Sequence, residues 1–164
     1  MNTRRLTRNA MLTTLALILY AVEAQLPPLT PIPGIKLGLA NGVTVFAAFA
    51  LGGGDAGAIL AARVLLATML TGNASALMYS AAGGRLCLVT MLPLRRLLGE
   101  GQVWVASVLG AAAHNLGQVL TAMAVTRTPG LIAYLPLLLA AGMAAGLFTG
   151  ICAQLVLKRL KPGR

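Results

Sequence analysis

Six long apolar segments follow one another along this chain, and short groups of glycine, proline and charged residues separate them. They run over about residues 9–26, 37–51, 55–70, 76–98, 103–125 and 132–160. Only 10% of the residues are charged, against about 25% in a soluble domain, so the chain has too little charge to cover its surface in water. We predict that residues 1–164 form a single, all-α integral membrane domain.

The basic residues indicate how these segments are oriented. Nine of the 13 Lys and Arg lie in three clusters, at residues 4–8, 95–96 and 158–164. If all six segments cross the membrane, these clusters share one side and only Lys36 and Arg127 lie on the other. Because cytoplasmic loops are rich in Lys and Arg, we predict six transmembrane helices with both termini in the cytoplasm. The sequence has no basic stripe with interleaved aromatic residues, which is the pattern that indicates a nucleic-acid partner, so we expect none.

The first three segments raise particular questions. The basic start, the apolar run and the sequence AVEA at 21–24 resemble a secretory signal, but we interpret segment one as the first membrane helix. Segments two and three are shorter than the roughly 20 residues that a spanning helix needs, so tilting, thinning at one end and partial re-entry all remain open. Asp55 is a predicted N-cap of segment three.

Glycines mark two of the segments as packing faces. Segment six has glycine at every fourth position, at Gly142, Gly146 and Gly150. Such a stripe lets another helix approach closely, and Gly38 and Gly42 are predicted to do the same on segment two. We favour packing within the chain over dimerisation. The Gly83-Gly84 pair is expected to interrupt segment four, where backbone groups would then meet a ligand or protein.

Two arginines lie at the middle of apolar segments, Arg63 in segment three and Arg85 in segment four. A charge at that depth costs at least about 2.5–3.5 kcal/mol, so we expect both to face the interior. Of the three acids, only Glu23 is well placed to pair with them, and Lys36 adds positive charge. A surplus of positive charge suits an anionic ligand, which arginine binds bidentately. Alternatively, each arginine bonds backbone carbonyls at helix breaks.

Segment five carries a second polar group at the same depth. His114 and Gln118 are four residues apart and share a helix face, and Asn115 adjoins His114. Asn41 on segment two is a weaker candidate. The lone histidine is either a hydrogen-bonded structural residue or part of a ligand site, and both interpretations remain open. No second histidine or carboxylate cluster accompanies it, so we expect no metal and no other cofactor.

Four sequence motifs resemble the Gx transporter family, which is also labelled heptaprenyl diphosphate synthase component I. They are GIKLGLAN at 34–41, RVLL at 63–66, AHNLGQ at 113–118, and a last apolar helix that ends LKRL at 157–160. The resemblance covers nearly the whole chain. The family is similar to the substrate-binding S components of energy-coupling factor transporters, which are six-helix proteins of the bacterial inner membrane.

This resemblance implies a multi-pass protein of the cytoplasmic membrane that captures a vitamin-like molecule in an outward pocket. It implies docking on a transmembrane coupling subunit with two ABC-type ATPases. The loop between segments one and two would help to cover the pocket, and segments four to six would line it. The ligand-binding residues would be Lys36, Asn41, Arg63, Arg85, His114, Asn115 and Gln118. The Ala-xxx-Ala docking face of S components is only degenerate here, at Ala10 and Thr14.

The leading hypothesis is therefore a transport protein, an S-component-like subunit that binds a small anionic, vitamin- or isoprenoid-precursor-like ligand. The chain has no P-loop, so ATP energy would have to come from partners. We expect no enzyme activity, because prenyl-diphosphate synthases hold magnesium with aspartate-rich motifs and this chain has one aspartate, Asp55. The alternative is a non-transporting assembly or anchor subunit for a prenyl- or quinone-related enzyme or an electron-transfer complex.

Overall fold

The computed structural model describes residues 2–27 and 35–160, and over these ranges the chain is helical and contains no strand. The α-helices are α1 (Thr3–Glu23), α2 (Asn41–Ala50), α3 (Gly53–Thr71), α4 (Ala74–Leu97), α5 (Val103–Thr126) and α6 (Leu135–Leu160). Short 3-10 helices, Glu100–Gln102 and Pro129–Tyr134, precede α5 and α6. The prediction of an all-α fold is confirmed.

Four of these helices, α3 to α6, are long and apolar enough to cross a membrane, α6 together with the 3-10 helix before it. The chain is therefore a multi-pass membrane protein. Helix α2 has only ten residues, or about 15 Å of helix, half of the roughly 30 Å hydrocarbon thickness. Helix α1 has 21 residues, and its first turns carry Arg4, Arg5 and Arg8. The count of six spans stays a prediction.

An ion-pair group joins the beginnings of α1 and α3. The Asp55 carboxylate lies 2.7 Å from Arg5 Nε and 3.4 Å from Arg8 Nη2, and it accepts a hydrogen bond of 2.8 Å from the Asn9 amide. The predicted N-cap role of Asp55 is wrong: α3 begins at Gly53, and Asp55 in its first turn bonds α1 instead. Helices α1 and α3 therefore begin at the same end of the bundle.

The described parts of the three basic clusters lie at this same end of the bundle. A Cβ atom placed on Gly52 would lie 3.3 Å from Arg95 Nη1, which brings the end of α4 to the start of α3. Arg8 shares a groove with Ala50, at the end of α2, and with Leu160, at the end of α6. We call this the basic end and the opposite one the far end.

The glycine stripe on α6 packs against α5. A Cβ atom on Gly146 would lie 2.7 Å from Ala111 Cβ, and one on Gly150 would lie 2.8 Å from Trp104 Cα. Gly142 faces the Asn115 side chain. These contacts confirm that the stripe serves packing within the chain, because any larger residue there would push the two helices apart.

Helix α4 is continuous, so the predicted interruption at Gly83-Gly84 is wrong. The glycines instead allow close crossings: a Cβ atom on Gly83 would lie 2.7 Å from the His114 carbonyl oxygen, and one on Gly117 would lie 3.0 Å from Gly83 Cα. Gly84 faces Leu60 of α3. This tight α4–α5 contact fixes the position of His114 in the centre of the bundle.

Segment two differs most from its prediction. Residues 35–40 are not helical, and Gly38 has a φ of 88°, a conformation that favours glycine. Gly38 and Gly42 therefore do not form one helical stripe: Gly38 lies against His114, whereas Gly42 packs on Thr149 of α6. Helix α2 itself is mostly buried. It is a half-length central helix, and its N-terminus lies inside the bundle.

Candidate ligand-binding site

Five polar side chains meet in the interior of the bundle, and each is between 1% and 5% exposed. We call them the polar cluster: Glu23, Asn41, Arg63, His114 and Gln118. They come from α1, α2, α3 and α5 and surround the non-helical residues 35–40, which we call the covering segment. Sequence analysis named four of the five as ligand-binding residues, and the structure brings these four together.

Arg63 is the charged centre of the cluster. Its Nη2 donates a hydrogen bond of 3.1 Å to Asn41 Oδ1, whereas its Nε has no hydrogen-bond partner among the described residues. Among the described residues, no carboxylate oxygen lies within 4.0 Å of an Arg63 nitrogen, the distance limit for an ion pair. The guanidinium is only 3% exposed, so it is a buried positive charge held by a neutral amide.

Glu23, the last residue of α1, holds the covering segment. Its carboxylate accepts backbone N–H bonds from Gly38 at 2.6 Å and from Leu39 at 3.0 Å. The sequence analysis considered Glu23 as a partner for the arginines. Its contacts are instead with backbone donors, which the left-handed conformation of Gly38 turns toward it. Gln118 Oε1 accepts a third backbone bond, of 3.3 Å, from Lys36.

His114 lies between the covering segment and α4. A Cβ atom on Gly38 would lie 2.9 Å from His114 Cδ2, and one on Gly83 would lie 2.7 Å from Nδ1. Nδ1 has no hydrogen-bond partner within residues 2–27 and 35–160. The same residues contain no group of three His, Cys, Asp or Glu side chains that would hold a metal ion. His114 thus supplies a flat wall between the covering segment and α4.

Lys36 lies at the edge of the cluster. Its Nζ is 3.4 Å from the centroid of the Tyr20 ring, a cation–π contact that the sequence analysis did not anticipate. Lys36 and Arg63 supply two positive charges and Glu23 one negative charge. The surplus of positive charge is therefore one, smaller than expected, because Arg85 lies elsewhere.

Two predicted site residues do not join the cluster. The Asn115 amide nitrogen donates a 2.7 Å hydrogen bond to the Leu138 carbonyl, so Asn115 ties α5 to α6. Arg85 is exposed on the outer surface between α3 and α4. The expectation that both mid-segment arginines face the interior holds for Arg63 and is wrong for Arg85.

The comparison with protein families assigns the chain. The model of the family described as "Heptaprenyl diphosphate synthase component I" matches residues 12–156. This chain belongs to that family. The family suspected from the sequence motifs is thereby confirmed, and every residue of the polar cluster lies within the matched range. Neither the curated proteins nor the solved structures contain a significant match.

Proposed function

We propose that this member of the heptaprenyl diphosphate synthase component I family is an S-component-like transport subunit. It binds a small anionic ligand in the polar cluster, beneath the covering segment. The observation that carries the proposal is Arg63, a buried guanidinium without a carboxylate partner among the described residues. Burying such a charge near mid-membrane costs at least about 2.5–3.5 kcal/mol, which a bound carboxylate or phosphate would offset.

The donors around Arg63 suit an anion. Arg63 Nε and Asn41 Nδ2 are both buried and unpartnered within the described part of the chain. Guanidinium nitrogens bind carboxylate and phosphate through two parallel bonds, and Nε with Nη2 forms one such pair. An anion there would take over the Nη2 bond that Asn41 Oδ1 now accepts.

Helix α2 supports the same ligand chemistry. Its N-terminus begins at Asn41, beside Arg63 and inside the bundle. Helix N-termini carry partial positive charge and attract anions. Transporters place the ends of discontinuous membrane helices beside anionic substrate groups in this way.

The covering segment is the proposed entrance. It is held by three bonds from its backbone N–H groups to Glu23 and Gln118. The two bonds to the Glu23 carboxylate contribute about 1.5–3 kcal/mol each and the bond to the neutral Gln118 amide about 1 kcal/mol, so the segment is closed and yet releasable. An arriving anion competes with the Glu23 carboxylate for the same positive surroundings.

The remaining assignments complete this proposal. Six spans with both termini in the cytoplasm place the basic end inside the cell and the covering segment toward the outside. The ligand is vitamin- or isoprenoid-precursor-like, and energy comes from a coupling subunit with ABC-type ATPases. Ala10 and Thr14, the degenerate docking pair, are both exposed on α1, where such a subunit would reach them.

The test compares two arginines at similar depth. We would extract wild-type protein, Arg63→Gln and Arg85→Gln gently from their own membranes and identify the bound small molecules by native mass spectrometry. We expect an anionic molecule in the wild type and in Arg85→Gln, and none in Arg63→Gln, with all three folded. Equal retention by all three variants would contradict the proposal.

A second function is favoured by the exposed position of Arg85. A charged residue on the outer surface suits a non-transporting assembly or anchor subunit for a prenyl- or quinone-related enzyme or an electron-transfer complex. The same mass spectra separate the two functions: an empty wild-type cluster with one stoichiometric enzyme or redox subunit would favour assembly.

A further inference from the structure

Arg85 lies at the centre of α4 and faces outward. It is 11 residues from Ala74 and 12 from Leu97, the two ends of the helix, or about 17–18 Å from either end. The hydrocarbon layer is about 15 Å thick on each side of its midplane. An arginine side chain can extend toward the interface but covers only part of that distance. The guanidinium therefore lies in hydrocarbon unless something covers it.

The surroundings of Arg85 are apolar. It lies in a groove of about 430 Å³ between α3 and α4. Among the residues that line this groove are Gly57, Ala61 and Val64 from α3 and Leu77, Ala81 and Leu88 from α4. Three of these six are glycine or alanine, which let a further helix approach closely.

This chain supplies no charge partner for Arg85 among its described residues, where the ion pairs all involve Asp55. Asp55 is engaged by Arg5 and Arg8, and the Glu23 carboxylate is buried under the covering segment. Glu100 follows the end of α4, 15 positions beyond Arg85. An uncovered charge at mid-span costs at least about 2.5–3.5 kcal/mol by insertion scales.

We propose that the α3–α4 groove docks a transmembrane helix of a different membrane protein, and that this helix carries an aspartate or glutamate at mid-membrane depth. A carboxylate would pair with Arg85, and the small residues Gly57, Ala61 and Ala81 would admit the helix. Such docking is independent of the ligand in the polar cluster.

Charge and depth argue against two other occupants. A second copy of this chain, related by a two-fold axis, presents the same patch and would place Arg85 near Arg85. Lipid phosphates lie at the membrane interface, whereas Arg85 is at the centre of its helix. A partner helix with its own carboxylate satisfies both conditions.

Gly57 offers a matched perturbation of the groove. A Cβ atom on Gly57 meets no atom within 4 Å, so Gly57→Leu would fill the groove without displacing the chain's own core. Leucine is also a better helix former than glycine. Any loss of docking in this variant would come from the groove and not from misfolding.

The experiment uses the full chain in phosphatidylcholine vesicles, labelled for energy transfer to synthetic leucine-alanine transmembrane peptides. Three peptides differ only in the central residue, which is glutamate, glutamine or lysine. We expect the glutamate peptide to bind wild type at least tenfold more tightly than the glutamine peptide. Arg85→Leu should abolish this preference, Arg85→Glu should transfer it to the lysine peptide, and Gly57→Leu should weaken binding of every peptide.

Two results would overturn the proposal. One is the absence of a glutamate preference in wild type, or its persistence in Arg85→Leu. The other is loss of peptide binding when phosphatidylglycerol replaces part of the phosphatidylcholine, which would assign the groove to an anionic lipid. Thermal unfolding would check that each variant is folded. The Arg63→Gln variant leaves the groove intact and should bind the glutamate peptide like wild type.

Discussion

Replacing Glu23 by glutamine should loosen the covering segment by a calculable amount. The carboxylate accepts the Gly38 N–H on one oxygen and the Leu39 N–H on the other, whereas glutamine has a single acceptor oxygen. One bond to a charged acceptor, about 1.5–3 kcal/mol, is lost, and the other weakens toward a neutral bond, by about 1 kcal/mol. The total is about 2.5–4 kcal/mol, and each 1.4 kcal/mol is a tenfold change in equilibrium.

Amide hydrogen exchange of the Gly38 and Leu39 N–H groups measures this opening directly. We expect Glu23→Gln to speed their exchange by between about sixty-fold and several hundred-fold, while amides in α5 change little. Asp55→Asn is the control, because it makes the same carboxylate-to-amide change at the basic end. If both amides change less than about threefold, or if Asp55→Asn has an equal effect, Glu23 does not hold the segment.

Three other predictions test the fold and the site. Gly146→Leu, whose Cβ would lie 2.7 Å from Ala111 Cβ, should lower stability by about 1–3 kcal/mol or more in thermal unfolding, whereas Gly57→Leu should not lower it, because a Cβ there meets no atom within 4 Å and leucine favours the helix more than glycine does. The stability lost in Asp55→Asn should shrink as salt rises, because Arg5 and Arg8 are about half exposed; a loss that salt does not change would contradict the ion-pair assignment. Arg63→Lys should retain less of the ligand than wild type in native mass spectra, because lysine cannot form the bidentate pair; full retention would refute that geometry.

The sequence could predict the helical class and the basic end, because both depend on long stretches of chain. Six apolar segments became six α-helices within the described ranges, and the described basic clusters lie together. The glycine stripe on segment six was also predictable, since a four-residue period of glycine permits close helix contact. These features need no knowledge of which neighbour a helix faces.

The two arginines could not be separated by hydropathy, because a membrane helix is apolar on every face. A finer signal exists in the small residues. On α4, Ala76, Gly83, Gly84 and Cys87 are buried and lie on one stripe, and Arg85 falls outside it. Reading small residues as the interior face would have placed Arg85 on the outside.

The half-length of α2 escaped prediction for a different reason. Leu37, Leu39 and Ala40 continue the apolar character of the segment, so composition alone extends the helix to residue 37. In the structure, Gly38 has a left-handed conformation, and Gly38 and Leu39 donate their N–H groups to Glu23. The helix therefore begins only at Asn41. Those bonds join residues that are 15 and 16 positions apart, so the residue pattern within segment two does not predict them.

Arg63 and Arg85 lie on opposite sides of the α3–α4 packing, and they give this small bundle two separate uses for a positive charge at mid-helix depth, one buried and one exposed. Arg63 faces the N-terminus of α2 and the covering segment. The backbone bonds that hold this segment can break, so the site suits a ligand that binds and dissociates. Arg85 faces outward among apolar side chains, where a charge costs at least about 2.5–3.5 kcal/mol, and the proposed partner helix would offset that cost. A chain with one of these arginines could serve transport or assembly alone. Because both are present, we expect a ligand-binding subunit that works in a complex, with ligand loss and partner loss separable by single substitutions.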